Sequence, residues 1–225
     1  MGSLNLITSK AGLRLFLITL FCGLYPAMGN ASMQDNKVST PAEISAFFDH
    51  QDKIVLTFSG YSGSGYEAPE TMLRLARSTL ETFDPQKTIV NIGTTKQGIG
   101  AVYQLARELG FTTTGIVSIL ARENNVEFSP CVDYIFLVED DSWGGLDRET
   151  GQLSPTSAAI INVSDVIVGI GGGMIAGEEM AAARQQGKTV RFFPADMNHR
   201  KAIEKARQKG LAVPAEFAGE AASML

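Results

Sequence analysis

The chain has 225 residues, a length that suits one domain with short extensions. It carries 19 Lys and Arg against 24 Asp and Glu, for a formal net charge of −5, and 44% of its residues are hydrophobic. This composition can bury a core, which excludes general disorder, and the acidic balance argues against nucleic-acid binding, which depends on Lys and Arg. Two cysteines and two histidines exclude a disulfide scaffold and argue against a zinc site, so we expect no metal.

The N-terminal segment has the pattern of a secretory signal peptide. Lys10 and Arg14 precede an uncharged apolar run over residues 15–24, and small residues follow as far as Ala31. The run is shorter than the roughly 20 residues that a membrane-spanning helix needs. We therefore expect residues 1–31 to be removed and the mature protein to be exported, periplasmic or secreted, with no further membrane contact. The alternative is an uncleaved anchor.

Strand and helix patterns alternate along the rest of the chain. Residues 32–51 are predicted to form a polar extension with a short helix over 42–49. The predicted strands, which are short, apolar and rich in β-branched residues, cover 54–58, 88–92, 114–120, 134–138, 166–170 and 189–193. The predicted helices cover 69–83, 99–109, 156–163, 175–186 and 198–209. Residues 211–225 form an Ala-rich tail that we expect to be loosely held.

The predicted strands are apolar throughout, with no regular alternation of polar residues. Such strands are buried on both faces of a sheet. Because helices separate them, residues 52–210 are predicted to form an α/β domain that is Rossmann-like and doubly wound. We expect a mostly parallel sheet of about six strands with helices on both faces.

Three of the predicted strands end in glycine-rich turns. In open parallel sheets, ligands bind beyond the carboxyl ends of the strands, where glycine lets the backbone approach an anion and the next helix offers free N–H groups. The turn residues predicted to bind a ligand are Gly60, Ser62 and Gly63 in the first turn, Gly93, Thr94, Thr95, Lys96 and Gly98 in the second, and Gly171, Gly172 and Gly173 in the third. They indicate a phosphate-bearing, nucleotide-type small molecule. The alternative is that the glycines only shape the turns.

None of the common phosphate-binding motifs is complete. Gly93 and Gly98 have the spacing of a Walker loop, but Lys and Ser or Thr do not follow them. Gly171, Gly173 and Ala176 can be written as a dinucleotide fingerprint, although that unit comes late in the chain, with only one predicted strand after it. NAD(P) binding is therefore a weaker alternative, and the sequence identifies no cofactor.

Two stretches resemble motifs of the SLOG superfamily, whose best-known members are the LOG-type nucleotide phosphoribohydrolases that activate cytokinins. One is the strand and glycine-rich turn over residues 91–100, and the other is the strand end and helix start over residues 171–179. The likeness spans roughly residues 54–194. It implies a Rossmann-like fold, a nucleotide ligand and a homodimer.

The second stretch matches the superfamily motif P-G-G-x-G-T-x-x-E only in part. Gly172 and Gly173 take the place of the paired glycines, and Glu179 takes the place of the glutamate used in the family's site. Ile175 and Ala176 stand where the family has Gly-Thr, and the hydrolases' catalytic arginine has no clear counterpart. The resemblance therefore favours a binding protein. The alternative is an enzyme that hydrolyses an N-glycosidic bond of a nucleoside monophosphate, with Glu179 as the catalytic residue.

Three further features carry individual expectations. The acidic stretch 139–141 is expected to be a solvated loop, or else a metal or sugar-hydroxyl site with Trp143 stacked on a base. Glu178 is expected to be solvated. Asn198 is predicted to cap the last helix.

Overall fold

The computed structural model describes residues 38–225, and the predicted signal peptide lies outside the described residues. The strands are β1 (Ile54–Gly60), β2 (Thr88–Ile92), β3 (Thr112–Ser118), β4 (Tyr134–Val138), β5 (Val166–Ile170) and β6 (Thr189–Phe193). The helices are α1 (Pro41–Gln51), α2 (Pro69–Leu80), α3 (Val102–Glu108), α4 (Leu120–Glu123), α5 (Pro155–Val163), α6 (Met174–Gln185), α7 (His199–Gln208) and α8 (Ala221–Met224). Within residues 38–225, no helix is long and apolar enough to cross a membrane.

The six strands form one parallel sheet in the order β4-β3-β2-β1-β5-β6. The chain builds the sheet outward from β1 to β4 and then returns to the other side of β1 for β5 and β6. This confirms the predicted Rossmann-like α/β fold. Strand order reverses between β1 and β5, and such a reversal opens a crevice at the carboxyl ends of the two strands.

Both faces of the sheet are apolar, which explains the uninterrupted apolar runs in the sequence. On one face, Leu56 and Phe58 of β1 pack with residues of α2 and α3. On the other face, Val55 packs with residues of α1 and α5, while Met180 of α6 is buried beside β5 and β6. Burying each such side chain stabilises the fold by about 1.5–3 kcal/mol, so the helices are held against both faces, as predicted.

Local capping determines where several helices begin. Thr40 and Glu43 form a reciprocal capping box before α1. The side chain of Ser154 accepts a hydrogen bond at the start of α5, and Pro155 follows it. Asn198 accepts a hydrogen bond from the backbone N–H of Lys201, which confirms its predicted role as the cap of α7.

The third strand begins and ends earlier than its apolar pattern predicted. It covers Thr112–Ser118, where 114–120 was expected, and α4 begins at Leu120. Thr113 is fully buried yet satisfied, because its hydroxyl donates to the Cys131 carbonyl oxygen at 2.7 Å. A satisfied hydrogen bond therefore allows a threonine to occupy a buried position of the strand.

The C-terminal segment, residues 211–225, was expected to be loosely held, and this expectation was wrong for its second half, residues 217–225, whereas residues 211–213 are exposed. Ala221 is fully buried, and its backbone N–H donates to the Gly172 carbonyl oxygen at 3.2 Å. The Phe217 carbonyl oxygen accepts a hydrogen bond from the N–H of Met197. Alanine and glycine allow this close packing, since a Cβ at Gly177 would lie 2.9 Å from the Ala221 Cα.

Candidate functional site

A cleft of about 1020 Å³ lies at the carboxyl ends of β1, β2 and β3. Its walls come from the turns after β1 and β2, the first turn of α6, the loop before α5, α7 and the C-terminal segment. It includes the crevice between β1 and β5, where open parallel sheets bind ligands. The cleft is therefore the candidate functional site.

The cleft brings together most of the residues that the sequence predicted for the site. Nine of the twelve line it, namely Gly60, Ser62, Gly63, Gly93, Thr94, Thr95, Lys96, Gly173 and Glu179. Gly63 and Gly93 are the most open of these, since a Cβ at either position would meet no atom within 4 Å. A ligand therefore has direct access to the backbone of two turns.

The other three predicted residues, Gly98, Gly171 and Gly172, do not line the cleft. Gly98 has φ +61°, and a Cβ there would overlap the backbone of Tyr61. Gly171 has φ +55°, and its Cβ would lie 2.5 Å from a ring carbon of Tyr61. The Gly172 carbonyl oxygen holds the C-terminal segment through its hydrogen bond from Ala221. These three glycines therefore shape and pack the turns. The dinucleotide pattern of Gly171, Gly173 and Ala176 consequently lacks its first glycine in the cleft.

Lysines from two parts of the chain line the cleft: one lies in the turn after β2, and the others lie at the C-terminal end of α7. Lys96, predicted to pair with a phosphate, forms an ion pair with Glu127. Lys205 of α7 and Lys209, the residue after the end of α7, also line the cleft, and Lys201 of α7 donates from Nζ to the Gly63 carbonyl oxygen at 3.3 Å. A spacing of four residues places the α7 lysines on one helix face. Sequence reasoning missed them because such spacing is also typical of a solvent-facing helix surface.

Glu179 is a buried carboxyl group at the cleft, with 7% of its surface exposed. Its Oε1 accepts a hydrogen bond from the Ser157 hydroxyl at 2.6 Å. Burial raises the pKa of Glu179 to about 7, opposed by hydrogen bonds from Ser157 and Ser59 and assisted by the charge of Glu178. A carboxyl group with this pKa can act as a general acid or base near neutral pH.

Ser157 controls the geometry of this carboxyl group. Its Oγ accepts a hydrogen bond from the N–H of Gly145 at 2.7 Å and donates its only hydrogen to Glu179. Oε1 is therefore the acceptor of this hydrogen bond. Ser157 lies 22 residues from Glu179 in a helix without a glycine motif, so no signal in the sequence pointed to it.

The acidic stretch after β4 is only partly solvated, contrary to expectation. Asp140 is buried, and its carboxylate accepts hydrogen bonds from the N–H of Thr156 at 2.9 Å and from Ser142. Burial raises the pKa of Asp140, but these hydrogen bonds outweigh it and lower the pKa overall. Asp140 thus holds the start of α5, and residues 38–225 contain no cluster of acidic, His or Cys side chains suited to a metal.

Glu178 was expected to be solvated, and it is buried instead. Its Oε2 accepts a hydrogen bond from the N–H of Leu146 at 2.8 Å, and its Oε1 lies 2.7 Å from Nη1 of Arg148. Two successive glutamates of α6 thus have different tasks: Glu178 anchors the loop over residues 139–153, and Glu179 faces the cleft.

A buried polar network lies beneath the cleft. Asn91 donates to the Thr57 hydroxyl at 3.3 Å and accepts from the Thr114 hydroxyl at 3.1 Å. The Thr57 and Ser164 hydroxyl oxygens are 2.6 Å apart. Buried polar groups with satisfied hydrogen bonds favour a single arrangement, so β1, β2 and β3 hold the floor of the cleft in place.

No protein-family model and no curated protein matches the chain. Among solved structures, the structural-genomics protein TM1055 is 25% identical, with a TM-score of 0.44 over 61% of this chain and 72% of that one. The Moco carrier protein of Chlamydomonas reinhardtii is 20% identical, with a TM-score of 0.46 over 76% of this chain and 94% of that one. At these values, the likeness carries no information about what this chain binds. The chain has the Rossmann-like architecture and strand-end glycine turns that its SLOG resemblance implies.

Proposed function

We propose that the protein is exported and binds a nucleotide or nucleotide-derived molecule in the cleft at the carboxyl ends of β1, β2 and β3. The observation that carries this proposal is that one cleft is lined both by the open turns at Gly63 and Gly93 and by Lys205 and Lys209. Exposed backbone and lysine side chains suit a phosphate group. The volume of about 1020 Å³ accommodates a ligand of nucleotide size.

A thermal-shift screen tests the proposal directly. The chain from Ser32 is heated with AMP, ADP-ribose, NAD, nucleotide sugars or inorganic phosphate. A ligand at 100 times its dissociation constant stabilises the folded state by about 2.7 kcal/mol, which raises the melting temperature measurably. A flat response to every compound would contradict the proposal and leave the glycine turns with a purely architectural role.

A charge substitution at Gly93 tests where the anion binds. Because a Cβ at this position would meet no atom within 4 Å, both Gly93→Asp and Gly93→Asn should fold. Repulsion between an aspartate and a phosphate on the order of 1–4 kcal/mol predicts that Gly93→Asp weakens AMP binding roughly 5-fold or more. Gly93→Asn has nearly the same size without the charge, and equal losses in both variants would place the phosphate elsewhere.

The buried carboxyl group of Glu179 favours a second candidate, hydrolysis of the N-glycosidic bond of a nucleoside monophosphate. A neutral acid at a sugar can protonate or stabilise the departing base. Chromatography of AMP after incubation with the protein would show free adenine. Glu179→Gln should retain AMP binding and lose adenine release, whereas equal release by both proteins would exclude Glu179 from the reaction.

A further inference from the structure

Three large apolar side chains, from the loop before α5 and the first turn of α6, are exposed and line the cleft. Trp143 is 51% exposed, Met174 is 43% exposed and Ile175 is 37% exposed, and all three line the cleft. Isolated apolar side chains on a surface are ordinary, but a patch inside a cleft is typical of a ligand site. We call Trp143, Met174 and Ile175 the apolar wall.

The apolar wall joins the loop before α5 to the first turn of α6. A Cβ at Gly144, directly after Trp143, would lie 3.3 Å from Cγ2 of Ile175. Nη2 of Arg148 lies 2.8 Å from the Met174 sulfur. The loop and the helix therefore form one continuous surface.

Hydrogen bonds of the residues on both sides of Trp143 hold the backbone in position there. The Ser142 hydroxyl donates to Asp140 at 2.7 Å and accepts from the N–H of Gly144 at 3.2 Å. The N–H of Gly145 donates to Ser157 at 2.7 Å. A side chain on a backbone held in this way loses less conformational entropy on binding than one on a mobile loop.

The start of α6 is unsuited to a phosphate in this chain. Met174, Ile175 and Ala176 offer no hydroxyl group. A Cβ at Gly173 would lie 3.5 Å from Oε2 of Glu220, so a carboxylate already lies beside the helix start. Repulsion from Glu220 directs an anion towards the turns after β1 and β2, near Lys205 and Lys209.

We propose that the apolar wall binds the planar heteroaromatic ring of the ligand, stacked on Trp143, while the anionic end lies at the turns after β1 and β2. This assignment rests on the proposed function and adds to it the orientation and the chemical class of the ligand. The ligand is then an anion that carries a planar heteroaromatic ring, and sugar phosphates without such a ring bind much more weakly.

Trp143 is the only tryptophan in the chain, so its fluorescence reports on this wall alone. The probes are AMP, with a heteroaromatic ring and a phosphate, and ribose 5-phosphate, with a phosphate and no heteroaromatic ring. AMP should quench the fluorescence, and ribose 5-phosphate should leave it nearly unchanged. Stacking energies predict that Trp143→Ala weakens AMP binding roughly 5- to 100-fold, as measured by calorimetry, while ribose 5-phosphate changes less than about 2-fold.

Two further variants separate stacking from general damage to the fold. Trp143→Phe keeps a ring and should recover most of the AMP affinity. Val213→Ala removes a side chain of similar exposure that does not line the cleft, and it should bind AMP normally. AMP binding with unchanged fluorescence and full affinity in Trp143→Ala would overturn the ring assignment alone. Absence of binding by any anion to the unmodified protein would overturn both this assignment and the proposed function.

Discussion

At the scale of single residues, Glu179 shows how burial changes chemistry. The same side chain in water ionises near pH 4.5, but here burial raises its pKa to about 7. The hydroxyls of Ser157 and Ser59 stabilise the charged form and only partly offset this effect. The carboxyl group is therefore a proton donor and acceptor at neutral pH and not a permanent anion.

Replacing Glu179 should change the pH dependence of stability. The folded protein binds one more proton than the unfolded chain between pH 4.5 and about 7, so this group's contribution is complete below pH 4.5 and is lost as the pH rises through 7. The loss amounts to about 3 kcal/mol in the free energy of unfolding. Glu179→Gln should remove this decrease in urea titrations at several pH values. The exposed Glu216→Gln should not, and identical curves for both variants would contradict the buried-acid interpretation.

Removing the Ser157 hydroxyl should raise the pKa of Glu179 further. The hydrogen bond from Ser157 favours the ionised form, so Ser157→Ala leaves a less stabilised carboxylate. Carboxyl-carbon NMR titration measures the change directly. Ser142→Ala removes a hydroxyl that serves Asp140 instead, and it should leave the Glu179 titration unchanged. A lower pKa in Ser157→Ala would refute the assigned direction of this hydrogen bond.

At the scale of elements, α6 and the C-terminal segment depend on each other. The start of α6 carries the glycines of the SLOG-like motif, yet Gly172 and Gly177 contact the C-terminal segment. Ala221 lies so close to α6 that only a residue without a side chain fits at Gly177. A glycine that weakens an isolated helix therefore stabilises the packing of two helices.

Gly177→Ala should have opposite effects in the full chain and in a chain ending at Glu216. Alanine ordinarily stabilises a helix interior over glycine by about 0.5–1 kcal/mol. In the full chain its Cβ would lie 2.5 Å from the Met224 sulfur and 2.9 Å from the Ala221 Cα, and overpacking of this kind costs about 1–3 kcal/mol. Chemical denaturation of the four proteins tests this reversal. A loss of stability in both backgrounds would mean that something other than the C-terminal segment opposes the Cβ.

At the scale of the whole molecule, the parallel sheet brings distant parts of the chain to one edge. The turns after β1 and β2, the start of α6 and the lysines of α7 meet only because strand order reverses beside β1. The same order places the cleft at one end of the sheet, with cores on both faces holding it. The site is thus a property of the assembled domain.

The proposed export predicts the first residue of the mature chain. If the N-terminal segment is a signal peptide, protein made in a secreting host should begin at Ser32, because small residues at Gly29 and Ala31 suit the peptidase. Intact-mass measurement of the exported fraction identifies the first residue. A chain that keeps residues 1–31 and stays with the membranes would support an anchor instead.

The SLOG resemblance also predicts a homodimer in solution. Light scattering coupled to size-exclusion chromatography measures the mass of the mature protein independently of its shape. The expected mass is twice that of one chain over a range of concentrations. A monomer at every concentration would restrict the resemblance to the fold of the single chain.

Much of the architecture could be predicted from local patterns. The bounds of β2, β4, β5 and β6 agree with the predicted ranges. For β2 and β5, burial on both faces favours apolar residues at most positions, whereas β4 and β6 are edge strands and β6 has no buried residue. The third strand was misplaced because buried threonines can replace apolar residues where hydrogen-bond partners exist, as at Thr113. The tail was misjudged because small residues give little periodicity, although they allow the close packing seen at Ala221.

The sequence by itself determined the fold class and the strand ends at which glycine turns occur, since both follow from the spacing of residues along the chain. Which turns face a ligand depended on tertiary contacts: Gly93 is open, whereas Gly171 packs against Tyr61. The raised pKa of Glu179 and its hydrogen bond with Ser157 likewise arose only in the folded molecule. The physical reason is that desolvation and hydrogen bonding depend on neighbours in space, and here those neighbours are far apart in sequence.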